Sequence, residues 1–334
     1  MKLNNNQCIF IKDPHLLVGF PIPSNREDTF TEEIQNKWNF IANYVKKNNI
    51  PYVVFTGDLF DKMQMSSWNW KIINENINFL LNFIKNSGAK LYSIRGNHDE
   101  INGKNNNEDT IFKLMINLNI LNHIGSNTPP LVLSIENKKI NLYGFDWNPS
   151  DSKLKNEIIK REYKGDYNIA VLHTSVVDKK SGKEHFSCVS YDYLLNCSNK
   201  IDAWVLGHYH KGFPLTYYKD KYFINPWNLT RLSRVDYVLN DEHTPEFVHA
   251  TFNVNNDNII DKYKTIKIPF IKYDKAFKKD SYNLNDDLID KFQFFTKIEN
   301  KIESNFNESE KLKNMLDSKE IKKEVYEIVK ECLS

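Results

Sequence analysis

The sequence predicts an α/β fold in which short strands alternate with amphipathic helices and gather polar residues on one rim. Five polar motifs occur in a fixed order: Asp13-Pro14-His15, Gly57-Asp58-Leu59-Phe60-Asp61, Gly96-Asn97-His98-Asp99, His173 and Gly207-His208-Tyr209-His210. Each follows a short apolar run, and stretches of helical spacing separate the first three runs. Strands that alternate with helices imply a layered core whose strand ends carry the polar groups.

Taken in order, the runs are 7–12, 52–56, 90–94, 168–172 and 203–206. They are rich in β-branched and aromatic residues, as strands buried on both faces are. Between the first two, residues 29–47 place Ile34, Trp38, Ile41, Ala42 and Val45 on one helical face. Thr29 followed by Glu32 predicts a capping box at its start. A second helix is expected over 70–86, ended by Gly88. Glycines ahead of Asp58, Asn97 and His208 permit sharp turns and close backbone approach.

Two loops, 16–28 and 100–109, are placed to border the rim. Segments 131–135, 140–145, 214–218, 222–224, 234–238, 247–254 and 264–268 read as strands of a second sheet that closes a sandwich. After Pro269 the character changes. Residues 272–279 are basic with interleaved Tyr273 and Phe277, which reads equally as a solvated connector or as a segment suited to tracking a nucleic-acid backbone. Residues 286–295 and 318–333 look helical, and Ile321, Val325, Ile328 and Val329 form an apolar stripe. The expected organisation is a catalytic domain over 1–268 and a small, mainly helical region over 269–334 that serves as cap, dimerisation element or partner-binding element.

The motif residues supply nitrogen and oxygen donors for two adjacent divalent cations. A carboxylate can serve both, so Asp58 is the natural bridge. Asp13, His15, Asp58 and His210 are assigned to one metal, and Asp58, Asn97, His173 and His208 to the other. Mixed imidazole, carboxylate and amide donors without thiolate suit manganese, iron or zinc. Two metals about 3.5–4 Å apart can share a water, lower its pKa and clamp phosphoryl oxygens during in-line attack. His98 is expected outside the ligand set, facing the leaving oxygen as general acid or electrostatic stabiliser. Asp61 is expected to orient that imidazole and hold it protonated. Arg95, just before the Gly-Asn-His turn, reads first as a solvated strand-end arginine, with contact to substrate phosphate as the functional alternative. A lone Asp-Pro-His ordinarily just ends a strand, and it is the ordered set of five that carries the reading. His123, His185, His243 and His249 match no motif and read as ordinary histidines.

These residues resemble the calcineurin-like metallophosphoesterase superfamily, whose pattern is Asp-x-His, Gly-Asp-x-x-Asp, Gly-Asn-His-Asp/Glu, His and Gly-His-x-His. The match spans Asp13 to His210. It implies a metallophosphoesterase β-sandwich flanked by α-helices, a two-metal site, and hydrolysis of phosphomonoesters or phosphodiesters. Within the superfamily the chain looks most like the SbcD branch, the nuclease subunits that work with an SbcC-type ATPase in DNA repair. The tight Asp-x-His-Leu opening precedes a loop and a long first helix, as in that branch. Gly57 to Asp61 lacks the Arg-Gly continuation of protein Ser/Thr phosphatases. The stretch 222–231 occupies the place of the branch's Pro-Gly-Ser segment, with Trp227 where glycine is usual and Arg231, expected at the substrate, closing it. DNA, an SbcC-type ATPase and a second copy of the chain are the partners this resemblance implies.

The chain has 334 residues and a formal net charge of +2. That length suits one large core plus an appendage, and the charge gives no global field for nucleic acid, so any such surface must be local. Cys8, Cys188, Cys197 and Cys332 show no metal or redox spacing and read as reduced thiols. No run approaches membrane-spanning length and the first residues lack an apolar signal core, so a cytoplasmic enzyme is expected. Abundant Asn, Lys and Ile fit an AT-rich genome such as that of a phage or low-GC bacterium. Competing expectations are a small-molecule phosphodiesterase or phosphatase on the same scaffold and a non-catalytic scaffold that binds a partner through its last helices.

Overall fold

The structure, a computed structural model, describes residues 6–61, 69–100, 110–177, 188–232, 244–253 and 260–278. The chain divides into two compact units, 1–279 and 280–334. The second lies outside the described residues, and with it the helices expected over 286–295 and 318–333 and the apolar stripe. The strand expected over 234–238 lies outside them as well.

The first unit is built on two six-stranded sheets. Strands β1 (Gln7–Ile11), β2 (Tyr52–Phe55), β3 (Lys90–Ser93) and β4 (Asn122–His123) run parallel in that order. Beyond β1 the sheet continues antiparallel through β13 (Glu246–Phe252) and β14 (Ile260–Lys267). The second sheet is centred on parallel β6 (Lys138–Phe145), β7 (Tyr167–His173) and β10 (Ala203–Gly207). It is flanked by β5 (Leu131–Ile135) on one side, and by β12 (Lys221–Asn225) and β11 (Phe213–Tyr218) on the other. A short pair, β8 (Val176–Val177) and β9 (Val189–Ser190), stands apart.

The α/β sandwich is therefore as expected, but two strands belong elsewhere. Segments 247–254 and 264–268 were expected in the second sheet; β13 and β14 instead extend the first, with Phe10 opposite Val248. Alternating apolar residues mark a strand's buried face without naming its neighbour. The motif strands also divide: β1, β2 and β3 end in one sheet, β7 and β10 in the other.

Side-chain alternation along each strand explains the layers. On β1, Cys8 and Phe10 point between the sheets, packing with Val54, Val171, Val205 and Val248. Ile9 and Ile11 point outward to helices α1 (Phe30–Lys47) and α2 (Trp70–Ser87), meeting Ile34, Trp38, Ile41, Leu80 and Phe83. The outer face of the second sheet is covered by Leu154 and Ile158 of α4 (Asp151–Lys160) and Leu194 of α5 (Tyr191–Cys197). Helix α3 (Ile111–Asn117) adds Ile111, Phe112 and Met115 to the first helical layer. Among the described residues, no helix is long and apolar enough to cross a membrane.

Two local readings are corrected. Thr29 precedes α1 but sits in helical conformation (φ −70°, ψ −4°), so its hydroxyl reaches no helix amide and no capping box forms. The N-terminus of α2 is instead capped by Asn69, which accepts from the Ile72 amide, while Gly88 ends it at φ +74° as expected. Tyr273 and Phe277 do not face outward for bases. They are 5% and 0% exposed, Tyr273 opens the short helix α6 (Tyr273–Ala276) and Phe277 follows it, with its ring centre 4.4 Å from the Arg26 guanidinium.

Candidate metal centre

The parallel strands β1 and β2 end side by side, and their loops stay paired beyond the sheet. The His15 amide donates to the Asp58 carbonyl at 2.9 Å, and Leu16 to Leu59 at 2.9 Å. This brings Asp13 and His15 against Asp58 and Asp61. The β3 loop arrives in a one-turn 3-10 helix, Asn97–Asp99. Asp99 is buried and accepts from the amides of Leu59, Phe60 and Gly96, tying that turn to the Asp58 loop. The second sheet delivers His173 at the end of β7, and His208 and His210 just after β10.

The backbone is bent to make these ends meet. Asp13, His15, Asp58 and His208 all have positive φ, at 42°, 43°, 49° and 81°. Such conformations are sparse for non-glycine residues and persist where surrounding structure enforces them, typically at functional sites. Gly57 takes φ +98°, and Gly96 rests so tightly on Asp58 that a Cβ there would lie 2.0 Å from its Oδ1. Lys12, fully buried, donates to the Tyr209 carbonyl at 2.8 Å and to Asn225 Oδ1 at 2.7 Å, and so holds the turn between the last two histidines.

Donor atoms of His15, Asp58 and His98 lie within 4.8 Å of one another, as do those of Asp58, His173 and His208. Asp58 is common to both groups, though not with one oxygen for each. Its Oδ1 accepts the His98 amide at 2.9 Å, and Oδ2 alone faces both sides, 3.2 Å from His173 Nε2 and 3.7 Å from His15 Nε2. Asn97 Oδ1 is 3.0 Å from His173 Nε2 and 2.9 Å from His208 Nδ1. His210 Nε2 lies 3.3 Å from His15 Nε2 and 3.9 Å from Asp13 Oδ2. The seven predicted ligand residues thus form one cluster.

The donor chemistry fits a cation. His173 Nδ1 is 2.7 Å from the Thr56 carbonyl, which can only accept, so Nδ1 carries the proton. In a neutral ring Nε2 then aims a lone pair at Asp58 and Asn97 oxygens. Only a second proton or a metal satisfies that arrangement. In the metal-free protein it is a proton: burial opposes the charge, but Asp58, by charge and hydrogen bond, with Asp13 and the Thr56 carbonyl, raises the His173 pKa to about 9. For Asp58, burial pushes the carboxyl up, yet His173, His15 and His98 hold it well below the usual range. His208 goes the other way, lowered to about 4 by burial and by the His173 charge, which leaves it neutral and able to coordinate. His15 and His210 meet through their Nε2 atoms at 3.3 Å, one donating to the other as their tautomers allow. Among the described residues no lysine or arginine bonds to Asp13 or Asp58.

His98, expected outside the ligand set, has a ring nitrogen within 4.8 Å of the His15 and Asp58 donors. Its Nδ1 is 3.0 Å from the main-chain carbonyl of Asp61 and 3.8 Å from the Asp61 carboxylate, so the ring is oriented by backbone rather than by the expected carboxyl. The Asp61 Oδ1 lies nearer His15 Nδ1, at 3.4 Å. The side chain is 35% exposed.

The two arginines part company. Arg95 is at the edge of the cluster, with its guanidinium against Asp146. Arg231 is 1% exposed and bonds inside the protein to Glu33 at 3.3 Å and to the Ile271 carbonyl, over the Phe270 ring. No face of it is open to a substrate, which corrects the expectation for that residue. Sequence reading also passed over Asp146, Glu100 and His123, because no motif spacing joins them to the five. A cleft of about 660 Å³ along β5, β6 and α4, lined by Lys139, Tyr143 and Lys160, holds none of the predicted site residues.

No curated protein sequence matches the chain. Among solved structures, a putative 5'-nucleotidase from Staphylococcus aureus in complex with alpha-ketoglutarate is similar, with a TM-score of 0.51 at 12% identity. The match covers 84% of this chain and 56% of that one. A 5'-nucleotidase precursor from Thermus thermophilus gives a TM-score of 0.42 at 12% identity, over 81% of this chain and 55% of that one. At such identity the first likeness is one of fold. The family model of calcineurin-like phosphoesterases matches residues 13–212, from the first aspartate of the cluster to just past its last histidine, and the chain belongs to that family.

Proposed function

We propose that this chain is a two-metal phosphodiesterase acting on DNA, of the SbcD nuclease kind. The observation that carries the reading is the complete ligand cluster with Asp58 Oδ2 shared between its two halves. Asp13, His15, Asp58 and His210 would hold one ion, and Asp58, Asn97, His173 and His208 the other, manganese suiting the donors best. When bound, two such ions supply an activated water and charge stabilisation for an in-line phosphoryl displacement.

The chain's own residues do the rest. The Asp61 carbonyl fixes Nδ1 of His98 as a donor, so that Nε2 can give a proton to the leaving oxygen. The Thr56 carbonyl fixes the His173 tautomer. Asp99 and Lys12 keep the motif loops at their spacing. Arg95 meets a substrate phosphoryl oxygen.

Support for DNA as substrate comes from the Asp-x-His-Leu opening and the segment 222–231. The Leu229 amide of that segment donates to the Lys12 carbonyl at 2.9 Å, and the Thr230 hydroxyl donates to the Pro14 carbonyl. An SbcC-type ATPase is the proposed partner, met through residues beyond 279. The second reading, hydrolysis of nucleotide monoesters, is favoured by the likeness of fold to the Staphylococcus aureus protein, itself named a putative 5'-nucleotidase.

One assay separates them: plasmid and hairpin DNA against 5'-nucleotides, in manganese or magnesium, with and without chelator. Chelator-sensitive DNA degradation supports the nuclease. Turnover of 5'-nucleotides with intact DNA replaces it with the nucleotidase. Deleting residues 308–334 should spare a small chromogenic phosphodiester while weakening capture of the ATPase. Unchanged capture removes the tail from the proposal.

A further inference from the structure

Just outside the metal-ligand cluster, three chain segments converge on one carboxylate. Asp146, at the end of β6, is 7% exposed and accepts from the Arg95 amide at 2.8 Å, Arg95 Nε at 3.3 Å and a terminal Arg95 nitrogen at 2.9 Å. His123 of β4 brings Nε2 to 2.9 and 3.1 Å from its two oxygens. An ionised carboxylate only accepts, so Nε2 of His123 must be the donor.

The nest is built closely. A Cβ on Gly125 would lie 2.2 Å from both Asp146 Oδ2 and His123 Nε2. Phe112 sets the His123 ring from its other side, 5.6 Å away and edge-on. The Asp146 amide donates to Ser126 Oγ, which in turn donates to Glu157, and the Trp147 amide returns to the Arg95 carbonyl at 2.9 Å. Burial raises the carboxyl's pKa, but His123 and Arg95 outweigh it and take it to about 2, so the group is charged at any working pH.

One edge of the guanidinium is therefore fully occupied. Glu100, 3.6 Å from Nε, approaches the same edge. The remaining nitrogen, Nη1, has no partner among the described residues, and the side chain is 21% exposed. Arg95 is next in the chain to Gly96, which rests on the shared Asp58 carboxylate. A planar cation clamped along one edge and partly exposed, one residue from Gly96, is pre-organised for an anionic oxygen.

We infer that Asp146 and His123 are positioning residues that hold Arg95 as a phosphate-binding arm beside the metal centre. The inference rests on the phosphoesterase reading and adds to it how binding is tuned without touching metal. A plain strut joining β3 to β6 is the alternative. It predicts loss of stability without a change in substrate affinity.

The test uses the full-length, manganese-loaded protein and three substitutions, R95Q, D146N and H123L, with H123Q as the conservative partner. KM and kcat are measured on the phosphoester that wild type hydrolyses best, and inorganic phosphate serves as competitive inhibitor. R95Q should raise KM and the phosphate inhibition constant about tenfold, the worth of one charge-assisted hydrogen bond, with kcat within about threefold. D146N should do nearly the same, and the R95Q/D146N double variant no more than R95Q alone, because the carboxylate acts only through the guanidinium. H123L should give a smaller rise that H123Q, still able to donate to Asp146, largely restores. Two ions per chain should remain in every variant.

Unchanged KM and inhibition constant in D146N, or effects of D146N and R95Q that multiply, overturn the inference. Should D146N fail to fold, the contrast between H123L and H123Q decides alone. Wild type that hydrolyses no phosphoester sinks the function rather than this inference, which calorimetric binding of phosphate to wild type and R95Q then still reads.

Discussion

Two buried clusters of charge in this protein are solved in opposite ways. Around Glu33, on α1, the chain brings its own cations to a buried carboxylate. One carboxylate, 3% exposed, is met by Arg26, by Lys37 at 2.7 Å and by Arg231 at 3.3 Å. Burial pushes Glu33 up, yet Lys37, Arg26 and Arg231 bring it to about 2, while burial lowers Lys37 to about 8 in spite of Glu33. At Asp13 and Asp58 the described residues supply no such lysine or arginine. The chain brings imidazole and amide groups whose lone pairs converge, and leaves the positive charge to come from outside. A buried carboxylate met by the chain's own cations is structural. A buried surplus of lone pairs points to a ligand.

The sharpest way to break this contrast is Asp58→Asn. It removes the shared charge, and we expect both ions to be lost and activity abolished. Two ions by elemental analysis together with near-normal turnover would contradict the shared role. Next in size is His98→Ala, which should keep both ions and lower turnover by about 10²–10⁴-fold, the usual worth of a positioned acid. Lost metal with unchanged turnover would instead make His98 a ligand.

Glu33→Gln tests the other cluster. It leaves three buried cations without their counter-charge and should cost about 3–5 kcal/mol of stability in urea unfolding. The folded fraction should still bind two ions, since the metal centre does not depend on that charge. A variant as stable as wild type would show that the cations relax into water.

The smallest effect concerns pH. Without metal, His173 has its pKa raised from 6.5 to about 9, so the charged form stabilises the fold below pH 6.5, and that contribution fades as pH rises through 9. Metal must displace this proton. Between pH 7 and 9 the metal-free protein should thus lose stability while metal affinity rises, about tenfold per pH unit for one proton released. Parallel melting and metal titrations across that range check both signs. Affinity independent of pH would mean that the metal-free His173 is already neutral.

The sequence made some of this legible and hid the rest for physical reasons. The motif strands could be read because an apolar run followed by a polar turn is local information. The helix stop at Gly88 was likewise local. Which sheet each strand joins was not local: β13 pairs with β1 across more than two hundred residues, and its alternation suits either sheet. Arg231 and Glu33 are 198 positions apart, so nothing near Arg231 announced that its guanidinium would be spent inside. Tyr273 and Phe277 misled similarly, because a basic segment with aromatics looks the same whether the rings face solvent or, as here, the Arg26 side chain. The candidate ligands could be named from sequence because the proposed chemistry constrains residue type at every position.

The division of the motif strands between two sheets has a consequence for order in time. All oxygen donors, Asp13, Asp58 and Asn97, come from the first sheet, and His173, His208 and His210 from the second. A growing chain that has passed Asp99 carries every carboxylate of the centre and can complete neither half of it. On the proposed ligand assignment, each half of the centre is completed only by histidines that end β7 or follow β10, so a chain without them holds neither set.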